Sequence, residues 1–192
     1  MNRNEYEILV EGWRSYLNEG MGNSSLEMTG KFTGIIQVVP SDRAVIEKIQ
    51  QKVLEKHANH KPIQKLHITL LHQKYPKKIG AGSERGDKLL KALYKSGKQG
   101  SLSLSSISFG DIYLAKDGDR ESTYVVINEQ DICKQIRDSI LEAAGIEIKD
   151  LESVLEPQEA SRVYHISLTN LTGNGGDSVA YPKKDDEVLN IS

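Results

Sequence analysis

Residues 65–73 read KLHITLLHQ and residues 163–170 read VYHISLTN, so the same tetrad occurs twice, as His67-Ile68-Thr69-Leu70 and as His165-Ile166-Ser167-Leu168. Both are runs of β-branched and leucine residues bounded by breakers, Pro62 before the first and the turn GNGGD at 173–177 after the second. Such runs are buried strands. Successive side chains of a strand point to opposite faces. His67 and Thr69 therefore project together, as do His165 and Ser167, while Ile68, Leu70, Ile166 and Leu168 point the other way into a core. Two such tetrads among five histidines arise by chance in about one of 300 chains of this composition.

Outward from these strands the chain alternates helix and strand signals. The run Phe32 to Val39 is a strand stopped at Pro40, and Val45, Ile46, Ile49 and Val53 then form a helical stripe, capped by Ser41 or Asp42 and running to about His57. After the first tetrad comes a basic loop, KYPKK at 74–78, and a short helix around Asp87 to Tyr94 with Leu89, Leu90 and Leu93. Ile107 to Leu114 and Thr123 to Ile127 are strands joined by the Asp-Gly hairpin signal KDGDRES. Ile132, Cys133, Ile136, Ile140 and Ala144 mark a third helix, with Asn128 as its cap and Gly145 as its end. A polar loop at 146–161 leads to the second tetrad strand, and the tail from Pro182 frays. Before all of this, Tyr6, Leu9, Trp13 and Tyr16 or Leu17 form a helical stripe, followed by a linker at 20–30, GMGNSSLEMTG. The expected division is a helix and linker at 1–30, one α+β domain at 31–180 and a tail at 181–192.

The 192 residues carry 25 Lys and Arg against 27 Asp and Glu, a net charge of −2. That balance excludes a chain-wide cationic surface for duplex DNA or anionic lipid. The lone Cys133 excludes an internal disulfide and a four-cysteine zinc site, and is read as a core residue. Charges interrupt every apolar run of the first fifteen residues, so neither a signal peptide nor a membrane span is expected there. The expected compartment is the cytoplasm, the host's if the chain is phage-encoded.

Two facing imidazoles supply a base and an acid, because histidine titrates close to neutrality. Phosphodiester cleavage needs that pair. One imidazole takes a proton from the attacking oxygen, the other donates one to the leaving oxygen, and the Thr69 and Ser167 hydroxyls bond the non-bridging oxygens. The attacking group is water or a neighbouring ribose 2′-hydroxyl, and the scheme requires no metal or cofactor.

The doubled tetrad resembles the 2H phosphoesterase superfamily, named for its two H-x-[ST]-x motifs, over about residues 32–170. The form LHITLL further resembles the phage anti-CBASS nucleases, which destroy cyclic oligonucleotide alarm signals. The resemblance implies a bilobal fold, with two pseudo-symmetric antiparallel sheets flanked by helices around a central cleft. It also implies catalysis by His67 and His165 and phosphate binding by Thr69 and Ser167, without settling which histidine is the base. The expected substrate is a small ribonucleotide cleaved at 3′–5′ linkages, foremost a cyclic di- or trinucleotide defence signal. The alternatives are 2′,3′-cyclic phosphodiesterase activity on RNA ends and a non-catalytic nucleotide-binding module.

Beyond the tetrads, Lys74, Tyr75, Lys77 and Lys78 suit phosphate pairing and base stacking, and Tyr75 and Lys77 are expected to touch substrate. The backbone amides of Gly173 to Asp177 could approach a phosphate. His57 and His60 have ligand spacing but no third ligand in the sequence, so no metal is expected. His72 faces away from His67, and Tyr164 away from His165 into the core.

Overall fold

The computed structural model describes residues 26–28, 35–40, 43–72, 74–79, 88, 91, 107–179, 183 and 186–190, with backbone alone at 26–28, 35–40, 76 and 77. The stripe at 6–17 and, apart from the helical Lys88 and Lys91, the helix at 87–94 lie outside these residues. In chain order the elements are β1 (Leu26–Met28), β2 (Ile35–Pro40), α1 (Arg43–Lys56), β3 (Lys61–Pro62), β4 (Ile68–His72), α2 (Lys74–Ile79) and β5 (Phe109–Asp117). They continue with β6 (Arg120–Ile127), α3 (Gln130–Ala143), α4 (Ile148–Glu152), α5 (Pro157–Ala160), β7 (His165–Asn170), a 3-10 turn (Gly175–Asp177) and β8 (Glu187–Val188).

The architecture is mixed α/β around one sheet, ordered β1-β2-β4-β7-β6-β5-β8, with β3 also on β7. Every pairing is antiparallel. Two sheets were expected. The described strands instead join into one, because β4 and β7 pair directly at Ile68↔Ile166 and stitch the half β1-β2-β4 to the half β7-β6-β5-β8.

The alternation read in the tetrads decides which face is covered. Ile68, Leu70, Ile166 and Leu168 are fully buried, in one cluster with Val45, Ile46, Ile49 and Val53 of α1 and Cys133, Ile136, Ile140 and Leu141 of α3. Burial of these side chains is the main driving force of the fold. Gln50 of α1 adds a polar pin, its Nε2 donating to the carbonyls of Ile63 and Leu168 at 3.0 and 2.6 Å.

Several local expectations change. The linker contains β1, which pairs Leu26 with Pro40, and the tail contains β8, which pairs Val188 with Tyr113. Short edge strands of two or three residues carry too little periodicity to be read. The KYPKK segment is helix α2; Pro76 sits in its first turn, where a missing amide hydrogen leaves no intrahelical bond unmade. The polar loop holds α4 and α5. Asn128 does not cap α3: its side chain donates to Ser108 Oγ at 2.9 Å, and Glu129 occupies the cap position. The hairpin is tighter than expected, with Asp117 paired to Arg120 across Gly118-Asp119, and Gly118 takes the positive φ of 59° that favours glycine there. No helix of the described residues is long and apolar enough to cross a membrane.

The two faces of β7 should respond differently to truncation. Ile166→Ala should cost about 2–5 kcal/mol in urea unfolding, whereas Ser167→Ala should stay within about 0.5 kcal/mol of wild type. Equal losses would show that the helices do not cover the face assigned to them.

Candidate active site

β4 meets β7 at Ile68↔Ile166, and strand alternation about that one pair sets His67 nearest Ser167 and Thr69 nearest His165. Directly opposed residues of an antiparallel pair share a face, about 5 Å apart at Cβ, and diagonal neighbours lie about 7–8 Å apart. The four side chains therefore form a two-by-two block on the face away from α1 and α3. The imidazoles occupy one diagonal and the hydroxyls the other. All four residues are half-buried, which leaves the block accessible from that side.

Each imidazole is held in the same way. His67 Nδ1 lies 2.7 Å from the carbonyl of Lys65, and His165 Nδ1 lies 2.8 Å from that of Val163, in both cases two residues back. A carbonyl only accepts, so Nδ1 carries the hydrogen and Nε2 is left with the titrating lone pair. Neither Nε2 has a hydrogen-bond partner among the described residues. A bulge makes this possible at His67. Ile63 donates its amide to the Leu168 carbonyl at 2.9 Å and Ile68 pairs with Ile166, so five steps of chain on one side match two on β7. The slack turns the Lys65 carbonyl back toward the ring.

Burial sets the electrostatics. It pushes the His67 imidazole below the usual value, with the Lys65 carbonyl pulling the other way. It pushes His165 further, to about 4. The Val163 carbonyl opposes that shift, Arg162 and His67 deepen it, and Asp186 opposes it. His67 thus acts on His165 through space, and burial favours the neutral form of both rings in the free protein.

One flank of the block is aromatic. Tyr124 of β6 stands opposite Ser167, and its ring meets His165 edge-on at 5.2 Å. Tyr113 of β5 stacks on Tyr124 at 5.3 Å. The Tyr124 hydroxyl donates to Asp186 at 2.9 Å, and burial together with that carboxylate holds it protonated well above the ordinary tyrosine range. Neither tyrosine was singled out from the sequence. The signal was their alternation in the two hairpin strands, which brings them to the histidine face only once β6 is known to neighbour β7.

The basic segment behaves differently from its sequence reading. Tyr75 is fully buried, because α2 turns its ring into the main core, so it is not placed to stack a base. The Lys77 side chain lies outside the described atoms. Lys74 and Lys78 sit over the Tyr75 ring at 5.0 and 5.6 Å, and both pair with Glu156, at 2.7 and 3.0 Å. The glycine turn is likewise committed to itself. The Gly173 and Gly176 amides donate to the side chains of Asn170 and Asn174, and the Asn174 amide donates to Thr172 Oγ1 at 3.1 Å. His72 accepts the Lys74 amide through Nδ1 at 3.3 Å. Cys133 and Tyr164 are buried, and burial pushes each of their pKa values up to about 12. His57 and His60 do gain a third neighbour, Glu121.

No protein-family model, curated protein or solved structure matches this chain.

His165 makes folding pH-dependent with a definite sign. Its folded pKa of about 4 lies below the unfolded value near 6.5, so the unfolded chain takes the proton first and stability falls as pH drops from 6.5 toward 4. Replacing it with asparagine removes that contribution. The urea midpoint of His165→Asn should therefore fall less between pH 7 and pH 4.5 than the wild-type midpoint; parallel curves would contradict the assigned burial.

Proposed function

We propose that the protein is a metal-independent phosphodiesterase of the 2H type that cleaves 3′–5′ linkages in small ribonucleotides, with cyclic di- and trinucleotide signals as its substrate class. In this reading the halves β1-β2-β4 and β7-β6-β5-β8 are the two lobes of the family, and the β4–β7 seam is the floor of the cleft. The observation that carries it is the pair of imidazoles on one diagonal of the block, each locked through Nδ1 to the carbonyl two residues back.

A diagonal separation of about 7–8 Å between the two residues leaves room for a phosphoryl group between the two Nε2 atoms, as in-line displacement requires. His165, the more strongly depressed imidazole, is the base. Its Nε2 takes the proton of the ribose 2′-hydroxyl as O2′ bonds to phosphorus. The phosphate's negative charge raises both imidazole pKa values, and His67, depressed less, is the one protonated by it. His67 gives that proton to O5′ as the P–O5′ bond breaks, leaving a 2′,3′-cyclic phosphate end and a 5′-hydroxyl. Thr69 and Ser167 donate to the non-bridging oxygens, stabilising charge as it develops. The half-buried Tyr113 ring, backed by the buried Tyr124, offers an apolar edge for a base. The small-ligand choice rests on the net charge of −2 and on the pairing of Lys74 and Lys78 with Glu156, which commits the basic segment after the first tetrad to an acidic partner.

Incubation with cyclic dinucleotides, cyclic trinucleotides and 2′,3′-cyclic mononucleotides in EDTA, with product masses recorded, tests this reading. Linearised products are expected, with kcat reduced about 10²–10⁴-fold in His67→Ala and in His165→Ala. The kcat/KM maximum should lie on the acid side of pH 6.5, between the two depressed pKa values. Loss of activity in EDTA, or its survival in the histidine variants, would overturn the mechanism. Turnover of the mononucleotides alone would move the substrate to RNA ends, and binding without turnover would make the protein a nucleotide-binding module.

A further inference from the structure

At the far end of β7 from His165 a second group of polar side chains converges. His57 and His60 follow the C-terminal end of α1, and Glu121 lies near the start of β6. One ligand atom from each of the three lies within 4.8 Å of the others. The two imidazole rings are 5.3 Å apart, and His60 Nε2 is 2.9 Å from Glu121 Oε1.

We propose that His57, His60 and Glu121 form a zinc-binding site that ties the end of α1 to the β5–β6 hairpin. Two imidazoles and one carboxylate are a donor set suited to Zn²⁺, with water in the fourth position, and their close convergence fits a tetrahedral shell after small adjustment. The site is independent of the phosphodiesterase reading. Thr169, which carries the outer contact of His60, is four residues along β7 from His165, about 13 Å.

The surroundings of His60 provide the support that a metal-bound imidazole needs. Its side chain is fully buried, and its Nδ1 lies 2.8 Å from Thr169 Oγ1, which lies 2.7 Å from Thr123 Oγ1. The threonine pair satisfies two states by reversing its direction. Without metal, Thr123 donates to Thr169, Thr169 donates to Nδ1, and the Nε2 hydrogen is directed at Glu121. With metal, Nδ1–H donates to Thr169, Thr169 donates to Thr123, and the Nε2 lone pair and Glu121 Oε1 are both released to the ion. Zinc thus replaces one proton between two atoms already 2.9 Å apart. An outer hydrogen bond of this kind orients a ligating histidine and sets its tautomer.

His57 completes the set. It is half-buried, and its ring lies 5.3 Å from that of His60 and has no hydrogen-bond partner among the described residues. Lys116 holds the second Glu121 oxygen at 3.0 Å from an exposed position, which leaves the carboxylate monodentate.

The test is titration of the metal-stripped protein with Zn²⁺ against a chromophoric chelator. One zinc per chain is expected, with affinity lowered at least tenfold in His57→Asn and in Glu121→Gln and unchanged in the double variant His67→Ala, His165→Ala. His57 and Glu121 are partly exposed, so their variants should fold where a change at His60 would not; far-UV circular dichroism checks this. Cobalt(II) supplies a second readout through the visible bands of a tetrahedral site, which His57→Asn should abolish. The proposal is overturned if zinc does not bind, if His57→Asn binds it like wild type, or if the double variant loses it, since the metal would then sit between the two cleft histidines.

Discussion

The backbone pairing of β4 with β7 at Ile68↔Ile166 is the contact on which the rest of the structure depends. It turns two half-sheets into one. It also brings together two tetrads that the sequence separates by nearly a hundred residues. Because antiparallel partners share a face, one register places four polar side chains in a block and four aliphatic ones beneath it. A slip of one residue would bury the imidazoles under α1 and α3 and expose the isoleucines. The fully buried Ile68, Leu70, Ile166 and Leu168 therefore do two jobs: their burial drives folding, and the same burial excludes any other register.

The chemical character of the site follows from how that block is held. Two carbonyls, of Lys65 and Val163, assign the tautomers before any ligand arrives. Half-burial favours the neutral form of both rings in the free protein, with His165 the more resistant to protonation. In the proposed mechanism a phosphate entering between them reverses that balance for one ring, so that ligand charge rather than bulk pH decides which imidazole becomes the acid. On that proposal, pre-set tautomers and a ligand-induced proton would lower the reorganisation left to the reaction itself.

The parts legible in the sequence were those governed by period and by residue type over long runs. The two tetrad strands, the stripes of α1 and α3, the Asp-Gly hairpin and the burial of Cys133 all follow from alternation or helical spacing. What was not legible depends on tertiary neighbours. Tyr75 looked like a surface aromatic among lysines, yet α2 turns it into the core while Lys74 and Lys78 close over its ring. Tyr113 and Tyr124 reach the histidine face only through the order of strands, and Glu121 meets His60 only because β6 and β3 both border β7. Edge strands β1 and β8 are too short to show a period. The amides of Gly173, Asn174 and Gly176 were available in sequence but are occupied by the side chains of Asn170, Thr172 and Asn174.

The central claim is that His67 and His165 face one phosphate together, and the most direct measurement is long-range ¹⁵N–¹H NMR of the imidazoles during titration with a non-hydrolysable phosphorothioate cyclic dinucleotide. The account predicts Nδ1–H tautomers for both rings in the free protein, concerted shifts of both on binding, and protonation of His67 Nε2 at saturation. Movement of one ring alone, or of neither, would contradict it.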